Sequence, residues 1–325
     1  MSATTSSAGI GPVEALTAKV GAIEVFPAET KFIENSTCIN AVTHAALPET
    51  LKNFCLLEKV VVITGGARGL GKNMAEAMCQ VGCKAVALLD LRREEGDKAA
   101  LELIKKYGTN VKFYQIDVTD DEKVTKIMLT INEELGGLDV LLCSAGVADS
   151  NMPAESYDTK RFCNLININL TGLFFCARAA GAIMIQKFKD SASILDANRN
   201  LHASGKPKGS IIFIASMSGR IVNWPQEQCA YNASKAGVKH LAASLAAEWA
   251  KYNVRVNSIS PDYMDTALNV SSGLDSLKKL WKERTPMERL GNENELNNLA
   301  VYLASDASTF MTGSDLVIDG GYCCW

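Results

Sequence analysis

The chain is short of the residues that several chemistries require. Its 325 residues include three histidines, His44, His202 and His240, none of them close in sequence to another plausible ligand. Zinc-dependent alcohol oxidation and metalloprotease chemistry need clustered imidazole, thiolate or carboxylate donors, so both lack their ligands and no metal is expected. The ten cysteines include no Cys-x-x-Cys pair and no Cys/His cluster, and several lie inside apolar runs. They read as reduced thiols acting as small hydrophobes, the usage of a cytoplasmic protein. A net charge of −3 leaves no basic footprint for nucleic acid or an anionic membrane, so a small-molecule partner is expected. No run approaches the roughly 18 consecutive apolar residues of a membrane span. The first 40 residues contain no Arg but include Glu14, Glu24, Glu29 and Glu34, which is unlike a secretory or mitochondrial leader.

What is present is the composition of a globular protein, 47% hydrophobic and 21% charged. Residues 1–53 are rich in small residues and Thr/Ser and weakly periodic, and read as a partly flexible N-terminal extension to a domain spanning 54–325. From Lys59 onward, short β-branched or apolar runs alternate with longer helical segments, which predicts an α/β fold: a Rossmann-like, doubly wound sheet of about seven parallel strands. Strands are expected at 60–64, 85–90, 112–116, 140–144, 210–215, 254–259 and 316–319, and helices at 70–81, 93–107, 121–135, 161–188, 230–252 and 293–304. Two segments break the rhythm. Residues 190–208 form a polar insertion where a short helix-to-strand loop would suffice, and 261–289 follow the sixth strand at its carboxyl end, where a substrate loop is expected.

Directly after the first strand comes Thr64-Gly65-Gly66-Ala67-Arg68-Gly69-Leu70-Gly71, opening a helix. Glycines let backbone approach a pyrophosphate, and the helix N-terminus supplies unpaired N–H groups. Asp90 ends the second strand, 19 residues beyond Gly71, where an acid binds the adenosine ribose hydroxyls. This pattern predicts a nicotinamide dinucleotide. Asp90 would repel a 2′-phosphate and so favours NAD(H), whereas Arg68 and Arg92 could pair with that phosphate, which keeps NADP(H) as the alternative. Asp117, after the third strand, suits either the adenine amino group or the N-cap of the next helix.

A helical segment holds Tyr231-Asn232-Ala233-Ser234-Lys235, which puts a phenol and an ammonium at i and i+4 on one face. A free phenol, with a pKa of about 10, is a poor base at neutral pH, and a neighbouring cation favours the phenolate. Tyr231 could then exchange a proton with a substrate oxygen while Lys235 also reaches the nicotinamide ribose. Fifteen residues earlier, Ser216 ends the fifth strand in Ser216-Met217-Ser218-Gly219 and would hydrogen-bond the reacting oxygen. Asn169 completes the set by holding a water that relays protons to Lys235. Taken singly, a Ser at a strand end is a common turn former and a Tyr-x-x-x-Lys spacing a common accident; their order behind the glycine turn joins them.

These motifs together resemble a classical short-chain dehydrogenase/reductase over residues 55–325. The family pattern is a Thr-Gly-x-x-x-Gly-x-Gly turn, an Asn-Ser-Tyr-Lys catalytic set and a C-terminal Asp-Gly-Gly, here Asp319-Gly320-Gly321. The resemblance implies hydride transfer on a Rossmann-like sheet and a homotetramer. It also implies cofactor contacts from Val118, Ala145, Gly146, Pro261 and Thr266, the last matching the residue that meets the nicotinamide amide. Within the family, the stretch 215–223, the Pro225-Gln226-Glu227-Gln228 turn and the end Gly321-Tyr322 to Trp325 resemble fungal polyol and ketose reductases: mannitol 2-dehydrogenase, L-xylulose reductase and D-arabinitol 2-dehydrogenase. That likeness implies a polyhydroxy substrate; Ser218, Asp262 and Met264 are candidate substrate contacts.

The pattern departs from the family at two places. Asp262 stands after Pro261 where the family has Gly, and Cys143-Ser144-Ala145-Gly146 keeps only the Ala-Gly of an Asn-Asn-Ala-Gly motif. Asp262 could narrow the pocket, bind a cationic substrate, act as a second acid/base or face solvent. With the insertion, it keeps open a second reading, a reductase of a bulky ketone, imine or iminium in fungal specialised metabolism. A third, a non-catalytic cofactor sensor, sits poorly with an intact Ser216, Tyr231 and Lys235.

Overall fold

Val60 to Thr64 reads Val-Val-Val-Ile-Thr and is buried along its whole length, as a strand must be when helices cover both sheet faces. The computed structural model describes residues 38–149, 151–194, 208–266 and 275–324. Its strands are β1 (Val60–Thr64), β2 (Ala85–Asp90), β3 (Asn110–Gln115), β4 (Val140–Cys143), β5 (Gly209–Ile214), β6 (Val254–Pro261), β7 (Met264–Asp265), β8 (Gly291–Asn292) and β9 (Asp315–Ile318). Seven form one sheet in the order β3-β2-β1-β4-β5-β6-β9, every pairing parallel. The short β7 and β8 pair separately. Chain order reverses between β1 and β4, so the carboxyl ends of these two strands open the crevice where such sheets bind ligands.

The helices are α1 (Ala41–Ala45), α2 (Glu49–Lys52), α3 (Gly69–Gln80), α4 (Arg93–Tyr107), α5 (Asp121–Leu135), α6 (Thr159–Ile166), α7 (Leu173–Ile194), α8 (Cys229–Trp249), α9 (Asp275–Arg284) and α10 (Asn297–Ala304). Their ends follow local chemistry. Helix α4 starts with Glu94 and Glu95 and finishes with Lys105 and Lys106, which suits the helix dipole, and stops at Gly108 in the left-handed region. Helix α5 is capped by Asp120, whose side chain accepts the Lys123 N–H. One apolar layer packs α5, α7 and α8 on one face of the sheet, and the other packs α3, α4 and α10 on the opposite face.

Two elements differ from the sequence reading, and the described part of the expected extension is ordered. The helix expected over 161–188 is α6 and α7 joined by a π-helical stretch, Asn167–Gly172, the extra residue per turn being absorbed around buried Asn169. Within the expected extension, α1 and α2 are ordered: Ile39 N–H donates to the Gln80 carbonyl and Ala307 N–H to that of Asn53. Residues 1–37 lie outside the described residues. Helix α7 runs to Ile194, into the expected insertion, whose positions 195–207 lie outside the description, as do 267–274 of the substrate loop. The run Thr159–Ser191 is long and apolar enough to cross a membrane by length and composition, yet half of its most apolar window is buried. Leu173, Cys176, Ala177, Ala180 and Met184 of that run belong to the core.

Candidate active site

The turn after β1 is a closed floor with an open top. Gly65 has φ 67° and no room for a side chain: a β-carbon would lie 2.8 Å from the Ala145 nitrogen. One at Gly71 would lie 2.2 Å from the Gly65 carbonyl oxygen. Gly69, at φ 55°, has nothing within 4 Å on that side. Thr64 ties the turn to the end of β4, its Oγ1 accepting the Ala145 N–H at 3.2 Å. Helix α3 starts at Gly69 with Arg68 at its cap position and no capping side chain, so its first-turn N–H groups are left for an anion. A pyrophosphate fits this cradle.

At the end of β2 the Asp90 carboxylate is held by backbone, Oδ2 accepting the Ala67 N–H at 3.3 Å and Oδ1 the Arg92 N–H at 3.2 Å. Glu95, one turn into α4, stands between two guanidinium groups, 3.9 Å from Arg68 and 3.9 Å from Arg92. All three side chains are about half exposed. Of the two roles open to Asp117, capping falls instead to Asp120, while Asp117 Oδ1 accepts the Thr119 N–H and hydroxyl. Val118 packs against the π-helical stretch, where a β-carbon on Gly172 would touch its Cγ2 at 2.9 Å. Leu70 is half-buried against the α3 side of the core.

The candidate catalytic residues converge beyond β5. Ser216 begins a 3-10 turn, Met217–Gly219, and its Oγ accepts the Ser218 N–H at 3.1 Å, lies 3.1 Å from the Ser218 hydroxyl and donates toward the Pro261 carbonyl at 3.5 Å. The turn rests on α8 because Gly219 has no side chain: a β-carbon there would sit 2.6 Å from the Lys235 carbonyl carbon. Burial raises the Tyr231 phenol above its usual range, and a hydrogen bond with the Ser216 hydroxyl draws it partly back. Lys235 is buried, its Nζ donates to the Ile214 carbonyl at 2.8 Å, and it lies 5.6 Å from the Tyr231 ring centre. Burial pushes its ammonium down to about 8. The cation expected to lower the phenol is thus nearby, with one of its donors on a carbonyl, and desolvation dominates the phenol's shift.

Asn169 is almost wholly buried. Its Oδ1 accepts the Val147 N–H at 2.8 Å, and its Nδ2 donates to the Val147 carbonyl and the Ser234 hydroxyl. Its side chain is therefore committed to Val147 and Ser234. A β-carbon on Gly146 would lie 3.2 Å from Asn169 Oδ1 and 3.8 Å from Lys235 Nζ, so Gly146 keeps the space beside both open.

The substrate side carries a network the sequence did not reveal. Tyr263 stacks on Trp281 with ring centres 4.0 Å apart, and its hydroxyl accepts from Asn223 Nδ2 and donates to Gln226 Oε1, which also accepts the Trp281 indole N–H. Gln226 was visible only as part of a turn, because its partners lie 37 and 55 residues away. Ser218 is buried beside Ser216 and within 3.4 Å of Gln228 Nε2. Thr266 is buried beyond Met264. Met264 packs its sulfur against Gly291 and joins the core, while Asp262, half-buried, lies 3.5 Å from the Thr285 hydroxyl. Among the described residues, no group of three His, Cys, Asp or Glu side chains is placed to hold a metal ion.

Known proteins share this architecture. Residues 65–323 match the family model described as enoyl-(acyl carrier protein) reductase. The chain is 41% identical to sorbose reductase of Schizosaccharomyces pombe over 83% of its own length and 98% of the relative's. It is 39% identical to the NADP-dependent mannitol dehydrogenase of Hypocrea jecorina, over 83% and 94% of the two chains. A crystal structure of a short-chain type dehydrogenase/reductase from Mycobacterium marinum superposes with a TM-score of 0.76 at 35% identity, covering 85% of this chain and all of that one. With a glycine cradle at the β1–β4 crevice and Ser216, Tyr231 and Lys235 gathered beyond β5, the chain belongs to the short-chain dehydrogenases/reductases, oxidoreductases that act on a carbonyl or alcohol with a nicotinamide cofactor.

Proposed function

We propose that the protein interconverts a ketose and its polyol with NADP(H). The nearness of Ser216 and Tyr231 carries the reaction type: the Ser216 hydroxyl acts on the buried phenol at the carboxyl edge of the sheet, with a buried ammonium on the same helix. Gly65, Gly69 and Gly71, with the α3 N-terminus, would hold the pyrophosphate, Asp90 the adenosine ribose, and Ala145, Gly146, Pro261 and Thr266 the nicotinamide half. When bound, the cofactor supplies or accepts the hydride. Ser216 donates a hydrogen bond that holds the substrate oxygen, and Tyr231 delivers a proton to it as C=O becomes C–O–H. The reverse reaction returns that proton to the phenolate, and Lys235 favours this charged form. With its phenol raised by burial, cofactor-free Tyr231 is a proton donor at neutral pH.

The 2′-phosphate has a seat. Glu95 occupies an anion position between Arg68 and Arg92, in weak, half-exposed contacts that a phosphate would outcompete with charge-assisted bonds. This supports NADP(H) over the NAD(H) that Asp90 alone favours, in keeping with the cofactor named for the Hypocrea relative. The sorbose and mannitol relatives support the polyol class. A homotetramer is the assembly that the family likeness suggests, with α5 and α7, which border a groove of about 790 Å³, as the faces to probe. Ten free thiols suit the cytoplasm. The test is reduced-nicotinamide absorbance with both cofactors over mannitol, arabinitol, sorbose and the matching ketoses; no turnover across that panel would overturn the polyol reading, and light scattering reads the oligomer.

A further inference from the structure

Three buried side-chain oxygens among the described residues have no hydrogen-bond partner: Asn223 Oδ1, Asp262 Oδ1 and Asn297 Oδ1. Two of them flank Tyr263 at the substrate side. A buried acceptor without a donor is costly, so such an atom is retained where something else supplies the donor. Asp262 is the stronger of the two because its position is tied to the chemistry. It follows Pro261, whose carbonyl lies 3.5 Å from Ser216 Oγ, so its Cα falls within about 7 Å of the reacting group by ordinary peptide geometry.

The rest of Asp262 is fixed. Its N–H donates to the Ile318 carbonyl, and Oδ2 faces the Thr285 hydroxyl, which itself donates to the Trp281 carbonyl. Asp319 adds a second negative charge nearby, and no described cation forms an ion pair with Asp262. Burial pushes the Asp262 carboxyl up to about 7. An unpaired acceptor on the residue that follows Pro261 suits the O–H of a substrate longer than its reacting carbon.

We propose that Asp262 is a specificity-determining residue whose Oδ1 accepts a hydrogen bond from a substrate hydroxyl remote from the reacting carbon. The inference deepens the polyol reading and rests on it for the class of natural substrate. It differs from recognition of a cation, because a hydroxyl needs only the unpaired acceptor, whereas an ammonium would need the full charge.

The experiment compares three ketones that differ only at their far end: pentan-2-one, 5-hydroxypentan-2-one and 5-(dimethylamino)pentan-2-one, reduced by wild type, Asp262→Gly and Asp262→Asn. Wild type is expected to favour the hydroxyketone over pentan-2-one by about 10-fold in kcat/KM, the worth of one hydrogen bond. Asp262→Gly is expected to lose that preference and Asp262→Asn, which keeps an acceptor, to retain part of it. Cofactor titration confirms that each variant is folded, and Asp262→Asn carries the test if the glycine variant is not. A hydroxyl preference that persists in both variants, or a wild-type preference for the amine, would overturn the proposal. If wild type ignores every polyol yet shows the Asp262-dependent hydroxyl preference, the polyol reading falls and this one stands.

Discussion

Gly219 and Lys235 touch through backbone: a β-carbon on Gly219 would lie 2.6 Å from the Lys235 carbonyl carbon and 2.7 Å from its oxygen. The Ser216 turn can reach the catalytic helix only because that side chain is missing. Gly219→Ala must therefore lift the turn off α8 by several tenths of an ångström. We expect a stability loss of about 1–3 kcal/mol, as for other overpacked sites, and a fall in kcat of about 10-fold or more. The Kd for cofactor, set by the glycine cradle, should change little. A Gly219→Ala enzyme with wild-type kcat would show that the contact does not position Ser216.

Tyr231→Phe removes the proposed proton donor and leaves the cradle intact. Loss of a positioned acid/base lowers rates by about 10²–10⁴, so kcat should fall by that factor while cofactor binding survives. Burial raises the Tyr231 phenol, and a raised acid stays protonated to higher pH. The phenolate difference absorbance of cofactor-free enzyme, wild type minus Tyr231→Phe, should consequently show no Tyr231 ionisation below the ordinary value of about 10. An ionisation near pH 7 in that difference would mean Lys235 overrides desolvation even without cofactor.

Much of this site was legible because its signals are local. The strand, the glycines and the helix start of 60–71 are contiguous, and Tyr231 and Lys235 share a face by helical spacing alone. The sheet followed from β-branched runs that must be buried on both faces. What escaped is what depends on distant pairs. Gln226 acquires meaning from Tyr263 and Trp281, and Gly219 from Lys235, neither predictable by period or propensity. The π-helical stretch at Asn167–Gly172 was read as plain helix, since one extra residue per turn does not disturb an apolar pattern. The electrostatics of Tyr231 also depend on a distant pair, since spacing predicts that Lys235 is near but not that its ammonium donates to the Ile214 carbonyl.

Cofactor choice should respond to the Glu95 seat. Arg68→Ala removes one of the two guanidinium groups beside Glu95, and a charge-assisted bond is worth about 1.5–3 kcal/mol, or about 10–100-fold. The KM for NADPH should rise by that order, with the KM for NADH moving less than threefold. Glu95→Gln should act in the opposite direction, lowering the KM for NADPH by freeing both arginines. Equal effects of Arg68→Ala on the two cofactors would place the 2′-phosphate elsewhere.

Asp262 gives stability a pH dependence of definite sign. Folding raises its carboxyl from an ordinary value near 4 to about 7, chiefly by burial, with Asp319 adding repulsion and the backbone around Tyr263 and the Thr285 hydroxyl opposing it. The folded state thus holds this proton more tightly than the unfolded chain does. Its contribution is fully present below pH 4, declines as pH rises toward 7, and is lost above that, where the buried carboxylate must be charged. Asp262→Asn cannot ionise, so it should exceed wild type in stability at pH 8 by on the order of 1–3 kcal/mol and lose that advantage as pH falls toward 4. Melting temperatures of the two proteins at pH 5, 6.5 and 8 measure this directly. A gap that stays constant across that range, or widens toward pH 5, would mean that Asp262 is ionised in the folded protein throughout and that a charge partner, rather than desolvation, governs it.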